Sequence, residues 1–321
     1  MGQACRTMLG RDVNNNNSYS RLGRGNNLPV TINLPYLALM CKRDNLNFWE
    51  ELDKLLLKAR KALLFRYDII RKQKPSAVPF MYKNKTMSFM DKCEDTIEES
   101  VKHNTLAIGY IAVAECCKVM TGHYHCEGYK ESEEFGLKIV QRIHDFCEES
   151  TEEYKLNFST YASPSEGFCE QALKGIRKEF GVIEGVSDHD FITNSHHCPV
   201  WIDIPVFKKI DVESKYAPLA TGGNIFHIEV DGVNYNEKAV TKAIDYALDN
   251  DIPYIRLSHP IATCFDCNYS IGHTMDKCEV CGSENIENLA IVTGYLSSDI
   301  KFMNKGKQDE VKRREKIDLG E

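Results

Sequence analysis

The sequence predicts an α/β protein with a mostly parallel sheet, followed by a small cysteine-rich metal-binding segment. Two observations support this prediction. Between residues 30 and 257, short β-prone apolar runs alternate with longer stretches of helical period, which is typical of strands joined by crossover helices. From Cys264 the composition changes abruptly, because four cysteines follow within a short stretch that ends at Cys281.

The first half of the chain predicts strands and helices in alternation. Residues 11–27 are rich in asparagine and glycine and predict an exposed loop. Residues 30–34 predict a strand, which Pro35 ends because proline cannot continue a sheet ladder. Apolar residues at i, i+3, i+4 and i+7 predict an amphipathic helix from Phe48 to Arg71. The other predicted elements of this half are a buried strand over 105–111 and helices over 93–103, 114–120 and 135–147.

The second half continues this alternation, and no internal repeat of fixed period is visible in the sequence. An apolar stripe predicts a helix that contains Val240, Ala243, Ile244, Ala247 and Leu248. Strands are predicted over 156–161, 200–204, 225–230 and 253–257, and a further helix over 166–180. The basic tail at 304–316 predicts a solvated helix, since acidic residues interleave with its lysines and arginines as i, i+4 pairs.

Length and charge exclude several classes of protein. The chain has 321 residues, 42% of them hydrophobic, and a formal net charge of −7. This acidity argues against a nucleic-acid partner, which normally meets a basic surface. No apolar run reaches the roughly 20 residues that span a bilayer, so no membrane association is predicted. The N-terminal residues lack the apolar core of a signal peptide, and the predicted location is therefore cytoplasmic.

Thirteen cysteines are the unusual feature of the composition. Four of them form two C-x-x-C pairs, Cys264 with Cys267 and Cys278 with Cys281. Two such pairs supply four thiolates at tetrahedral spacing, which predicts a closed structural zinc site, and Gly282 suits the tight turn after the second pair. An iron–sulfur cluster is the alternative, because four cysteines also hold iron.

A short segment near the C-terminus connects the chain to a known family. The sequence Val-Thr-Gly-Tyr-Leu at 292–296 by itself predicts only a bulge or a close backbone approach at Gly294. With Phe-Met-Asn-Lys-Gly-Lys at 302–307 and Glu-Val-Lys-Arg-Arg at 310–314, it closely resembles the C-terminus of the catalytic subunit of anaerobic (class III) ribonucleoside-triphosphate reductases, which are glycyl radical enzymes. Further collinear matches lie at 4–7, 23–26, 30–35, 103–106, 114–116, 156–158, 164–167, 193–200 and 222–225.

The resemblance implies roles for particular residues. Gly294 matches the glycine that stores the radical, and Cys5 matches the loop cysteine that forms the thiyl radical. Glycine suits the first role because its unhindered Cα can flatten between an amide nitrogen and a carbonyl. The four-cysteine zinc site of the family matches Cys264, Cys267, Cys278 and Cys281. Residues implied near the substrate are Asn33, Glu166, Ser195, His197, Gly222 and Gly223. Two alternatives stay open: Asn33 as a turn residue at a strand end and Glu166 as a charge at a helix N-terminus.

The resemblance also implies an activity and its partners. The activity is the anaerobic reduction of ribonucleoside triphosphates to 2′-deoxyribonucleoside triphosphates by glycyl and thiyl radical chemistry. Formate is the implied reductant, with a thioredoxin-like system in some relatives. A radical S-adenosylmethionine activating enzyme would generate the glycyl radical, and the implied assembly is a homodimer.

The implied fold is half of a ten-stranded α/β barrel at 1–260, a zinc ribbon at 261–285, and a glycyl radical loop with a C-terminal helix at 286–321. Members of the family carry a nucleotide-sensing region and the first half-barrel ahead of the loop cysteine. We therefore expect a separate N-terminal half, because a half-barrel leaves sheet edges unpaired. Two other hypotheses are a non-catalytic zinc-binding remnant or interaction module, and a zinc-ribbon nucleic-acid binder, which the acidity disfavours.

Overall fold

A computed structural model describes residues 6–20, 22–27, 29–165, 167–230, 236–292, 295–297 and 299–315 of the chain. Three residues singled out by the sequence, Cys5, Glu166 and Gly294, lie outside the described residues. None of the helices in the described ranges is long and apolar enough to cross a membrane.

The first part of the chain builds a parallel sheet whose strands are joined by helices. Its elements are β1 Val30–Asn33, α1 Leu34–Asp44, α2 Phe48–Arg71, α3 Glu98–Val101, β2 Thr105–Ile111, α4 Val113–Thr121, α5 Lys130–Tyr154, β3 Asn157–Ala162 and α6 Phe168–Phe180. The three strands pair in the order β1-β2-β3, and both pairings are parallel. This confirms the predicted α/β class and its parallel sheet.

The next part adds a parallel strand pair and then an antiparallel sheet. Its elements are α7 Val206–Glu213, β4 Phe226–Glu229, α8 Glu237–Asp249, β5 Ile255–Ser258, β6 Ile261–Cys264, β7 Ser270–Ile271, β8 Ile286–Val292, β9 Tyr295–Ser297 and α9 Lys305–Arg313. Strands β4 and β5 pair in parallel, whereas the last four strands form an antiparallel sheet in the order β7-β6-β8-β9. A single bridge between Tyr161 and Gly223 connects β3 with the segment ahead of β4.

Alternation along the strands gives the three-stranded sheet one apolar face and one polar face. The apolar face belongs to the main core, where Ile32, Ile108 and Phe158 pack with buried side chains of the surrounding helices. On the opposite face, Thr31 is aligned with Gly109, and Gly109 with Tyr161. We call this second face the polar face of the sheet.

Two predictions about secondary structure were wrong, and one helix was missed. Strand β1 ends before Pro35 as predicted, but Pro35 then occupies the first turn of α1, a position where its missing N–H costs no hydrogen bond. Of the helix predicted over 93–103 only the short α3 forms. No strand forms over 200–204. None of the described strands pairs with this segment, which consists of turns and leads to Pro205, the residue that precedes α7.

Candidate functional site

The four-cysteine cluster is confirmed as a compact group. The ligand atoms of Cys264, Cys267, Cys278 and Cys281 all lie within 4.8 Å of one another. The sulfur atoms of Cys264 and Cys281 are 3.6 Å apart, and those of Cys267 and Cys278 are 3.5 Å apart.

Local backbone geometry brings the two cysteine pairs together. Cys264 is the last residue of β6, and its N–H donates to the carbonyl oxygen of Tyr269. Gly282, with φ of +74°, donates its N–H to the carbonyl oxygen of Cys278 and closes the turn after the second pair. Four thiols in this arrangement fit a tetrahedral Zn²⁺ with no open coordination position, so the metal would be structural.

The N-terminal segment Arg6–Met8 lies against the polar face of the sheet. The Thr7 hydroxyl is 3.2 Å from the Tyr161 hydroxyl, and a guanidinium nitrogen of Arg6 donates to the carbonyl oxygen of Ala162 at 3.5 Å. Arg6 is fully buried, so a charged side chain is held inside the fold immediately after Cys5. The cysteine proposed to carry the thiyl radical therefore directly precedes, in sequence, a segment seated on the polar face.

Gly222 and Gly223 make this seating possible. The N–H of Met8 donates to the carbonyl oxygen of Gly222 at 2.8 Å. A Cβ on Gly223 would lie 1.9 Å from the Arg6 carbonyl oxygen, and its φ of +119° also favours glycine. The two glycines that the resemblance places near the substrate thus make a close backbone contact with the segment that follows Cys5.

A pocket opens at the end of the polar face, and we call it the strand-end pocket. Its lining residues are Thr7, Asn26, Pro29, Thr31, Tyr161, Ser163, Pro164, Ser165 and Phe168. Thr31 and Ser163 lie 2.8 Å apart through their hydroxyls, above Gly109, where any side chain would collide with them. Asn26 adds a side-chain oxygen that is buried without a hydrogen-bond partner among the described residues. Five of these lining residues lie in the collinear matches to the family, but the sequence assigned a role to none of their side chains.

The loop that contains Ser195 and His197 contacts the chain just beyond the carboxyl end of β2. The carbonyl oxygen of Ser195 accepts from the N–H of Val113, the first residue of α4. Ala112, Ser165 and Ser195 all have positive φ, at 60°, 46° and 44°. Such sparsely populated backbone conformations tend to cluster at functional sites, and here they coincide with three adjoining turns at the strand ends.

His197 is fixed by a buried carboxylate. Its Nδ1 lies 2.9 Å from an Oε atom of Glu213, and the other Oε atom accepts from the N–H of Cys198 at 2.9 Å. Burial alone would raise the pKa of Glu213, but attraction to Lys209 and to His197 outweighs burial and lowers the pKa to about 2. Burial lowers the pKa of His197. The imidazole is therefore oriented with Nδ1 toward an ionised carboxylate.

The pKa of Glu115, which contacts the same loop, is raised, whereas that of Glu213 is lowered. One oxygen of Glu115 accepts from the N–H of Thr193 at 2.6 Å, which ties α4 to the loop that contains Ser195. Complete burial raises its pKa to about 7, so the carboxyl group titrates near neutral pH.

Asn33 has a structural contact that explains its identity. It ends β1, and its side-chain oxygen accepts from the N–H of Tyr36 at 3.3 Å, which caps α1. The strand-end interpretation therefore has direct support, while a role near the substrate stays a prediction. Its neighbour Thr31, which lines the strand-end pocket, could have been found by applying the two-residue alternation of a strand to 30–33.

Parallel strands alternating with helices, followed by a four-cysteine antiparallel sheet, define an α/β protein with a C-terminal unit whose cysteines could hold a metal ion. A family model described as anaerobic ribonucleoside-triphosphate reductase matches residues 1–316. The chain belongs to this family.

Individual relatives agree with this assignment. The chain is 34% identical over 322 residues to the anaerobic ribonucleoside-triphosphate reductase of Escherichia coli K12, covering 97% of this chain and 45% of that protein. The enzyme of the same name from enterobacteria phage T4 is 27% identical, over 92% of this chain and 49% of its own length. The chain thus spans about half the length of the curated relatives that it matches.

Solved structures share the fold. An anaerobic ribonucleotide reductase superposes with a TM-score of 0.75 at 22% identity, covering 93% of this chain and 46% of that one. A Thermotoga maritima anaerobic ribonucleotide reductase with glycerol in its active site gives a TM-score of 0.69 at 20% identity, over 92% of this chain and 45% of that one.

Proposed function

We propose that the chain is the C-terminal, radical-bearing part of an anaerobic ribonucleoside-triphosphate reductase that converts ribonucleoside triphosphates to 2′-deoxyribonucleoside triphosphates. The observation that carries this proposal is the seating of Arg6–Met8 on the polar face, beside the strand-end pocket. This seating supports a reaction between Cys5 and a substrate bound at the carboxyl ends of parallel strands, where α/β sheets commonly bind ligands.

In this proposal the hydrogen moves between two centres of the chain. An activating enzyme of the radical S-adenosylmethionine type removes a hydrogen atom from Gly294, which separates β8 from β9 in the sequence. The glycyl radical takes the hydrogen of the Cys5 thiol, and the resulting thiyl radical abstracts the 3′ hydrogen of the ribose. Formate, or a thioredoxin-like system, supplies the two electrons with which the 2′ hydroxyl leaves as water. The Cys5 thiol then returns a hydrogen atom to C3′, which completes the product and regenerates the thiyl radical.

The strand-end pocket suits a ribose. Hydroxyl groups of Thr7, Thr31, Tyr161 and Ser163 surround it, and each can donate to or accept from a sugar hydroxyl. Asn26 adds a buried acceptor. A Thermotoga maritima reductase of the same fold has been crystallised in complex with dATP and CTP, which is consistent with nucleotide binding in this fold.

We assign residues 1–260 to half of a ten-stranded barrel, 261–285 to a zinc ribbon, and 286–321 to the glycyl radical loop and C-terminal helix. Strand β1 supports a separate N-terminal half, because β1 pairs with β2 alone among the described strands. A groove beside β1, lined by Val30, Ile32, Leu37 and Leu55, would be covered by a neighbouring strand. The complete assembly would be a homodimer, as in the family that the chain resembles.

Treatment of the zinc-loaded chain with an activating enzyme and S-adenosylmethionine under strict anaerobiosis tests the proposal. Electron paramagnetic resonance should show a doublet glycyl signal, which Gly294→Ala abolishes. Cys5→Ala is the matched control, since it should keep the signal but lose all product formation when the N-terminal half is supplied. Exposure to air should cleave the chain at Gly294. A wild-type chain that gives neither signal nor cleavage would instead be a non-catalytic remnant.

A further inference from the structure

Helix α9 is attached to the rest of the molecule by charges rather than by an apolar face. Val311 is its only large apolar residue, yet Lys307 and Glu310 have side chains that are only 2% exposed. Helices of globular proteins normally bury an apolar stripe. The docking of α9 therefore rests mainly on buried polar contacts, to which Val311 adds packing against Ala290 and Met303.

These contacts form a continuous, charge-balanced network. Lys307 donates to a Glu310 oxygen at 2.7 Å, and Arg314 lies 3.1 Å from the other Glu310 oxygen. Arg314 also pairs with Glu229 of β4 at 2.7 Å, and the Ser258 hydroxyl of β5 donates to Glu229. Two cations and two carboxylates thus neutralise one another inside the fold.

The network continues toward the strand-end pocket. With its amide oriented to satisfy both neighbours, Asn194 accepts from the Lys307 ammonium group at 3.3 Å and donates to the carbonyl oxygen of Pro164. Pro164 lines the strand-end pocket. A chain of polar contacts therefore runs from Arg314 in the C-terminal segment to the wall of the pocket.

Two backbone contacts hold α9 close to the same loop. A Cβ on Gly306 would lie 2.7 Å from the Asp190 carbonyl oxygen, so α9 approaches the loop more closely than a side chain permits. The N–H of Glu315 donates to the carbonyl oxygen of Val200 at 2.8 Å. Because α9 follows β8 and β9 in the chain, fixing α9 also constrains the strands that flank Gly294.

We infer that the Lys307–Glu310–Arg314–Glu229 network sets the position of the C-terminal segment relative to the strand-end pocket, which makes Glu310 and Arg314 positioning residues for the radical reaction. This inference rests on the proposed function. Removing one partner of a buried charge network leaves the others uncompensated, which costs far more than losing an exposed pair. The network therefore specifies one docked arrangement of α9.

Hydrogen exchange measured by mass spectrometry on the zinc-loaded full chain tests the positioning role without any activity. Arg314→Met should speed exchange at 305–313 by about a hundredfold and should also speed exchange at 164–169, through Asn194. Arg313→Met is the matched control, because Arg313 lies on the same helix in an exposed pair with Asp309 and should leave both segments unchanged.

Two outcomes would overturn the inference: equal deprotection of 305–313 in both variants, or unchanged exchange at 164–169 in Arg314→Met. Should Arg314→Met fail to fold, Arg314→Lys keeps the charge but loses the forked geometry. It should then give a smaller acceleration, of about tenfold, at both segments. No acceleration in Arg314→Lys would contradict the role of the network.

The link to the radical reaction is tested separately. After activation, Arg314→Met should form the glycyl signal to the wild-type extent, whereas product formation with the N-terminal half should fall at least about tenfold. Unchanged product formation would overturn the positioning role. If the wild-type chain itself gives no glycyl signal, the proposed function fails, while the exchange experiment still decides whether the network positions α9.

Discussion

The parallel α/β region and the C-terminal unit that begins at β6 are stabilised by different means. The first buries a large apolar core to which the strands β1–β3 and the helices α1, α2, α4 and α5 contribute. Among its described residues the second has two small apolar clusters, one of which contains Cys264 and Cys278 themselves. Apolar burial scales with the size of the core, so we expect the C-terminal unit to depend on a metal held by its four cysteines and on buried charges. The two regions should therefore fail under different perturbations.

Removal of the metal should have the largest effect, confined to the C-terminal unit. A structural zinc site contributes about 10–16 kcal/mol of apparent binding free energy in isolated zinc modules. A strong chelator, or Cys278→Ser, should abolish hydrogen-exchange protection over 261–290. Protection of β2 and β3 should be retained.

Elemental analysis of the purified chain should find one zinc per chain, and Cys93→Ser, outside the cluster, serves as the control variant. Iron in place of zinc would favour the iron–sulfur alternative. Chelation that unfolded both regions together would refute the separation of their stabilities.

Loss of core volume should instead destabilise the α/β region. Leu52 and Leu57 both lie on α2, but Leu52 is fully buried and Leu57 is 49% exposed. Leu52→Ala should lower the free energy of unfolding of the α/β region by about 2–5 kcal/mol, because it leaves a cavity. Leu57→Ala should change it by less than about 0.5 kcal/mol. Urea denaturation followed by circular dichroism measures both, and equal effects would show that α2 does not pack as described.

Glu115 should make the stability of the α/β region depend on pH. Its folded-state pKa of about 7 lies above its ordinary value, so the folded protein binds the proton more tightly than the unfolded chain does. Stability should therefore fall as the pH rises from about 4.5 to 7 and level off above it, by a few kcal/mol in total.

Glu115→Gln keeps an acceptor for the N–H of Thr193 and removes the titration. This variant should match the wild type near pH 5 and be more stable than the wild type near pH 8, as read from urea midpoints. If stability depends on pH in the same way in Glu115→Gln, other titrating groups cause the dependence.

The contact between Arg6–Met8 and the glycine pair should give the smallest effect on stability. Gly223→Ala meets the Arg6 carbonyl oxygen and an unfavourable φ, and should cost about 1–3 kcal/mol while displacing the segment that follows Cys5. Gly175→Ala, in α6, meets no atom within 4 Å and should be neutral or slightly stabilising. Faster exchange of residues 6–8 in Gly223→Ala alone would confirm the seating.

Local patterns predicted most of the regular elements. The stripe of apolar residues in α2 and the compact buried run in β2 predicted those elements correctly, because each is a pattern within a single segment. Helix α1 was missed because a proline after a strand indicates only that the strand ends. The structure shows that Asn33 caps a helix whose first turn contains Pro35. The strand expected over 200–204 failed because a strand needs a partner, and the apolar run alone does not supply one.

By itself the sequence determined the α/β class, the four cysteines that could hold a metal and the family resemblance, because each depends on residue type and spacing along the chain. Only the tertiary structure decided that Thr7 meets Tyr161, that Asn26 lines the strand-end pocket, and that Lys307 is buried. These contacts join segments far apart in sequence, and no local period encodes which distant segment a side chain will meet. The sequence therefore specifies the chemistry of the chain, and the fold specifies where that chemistry is brought together.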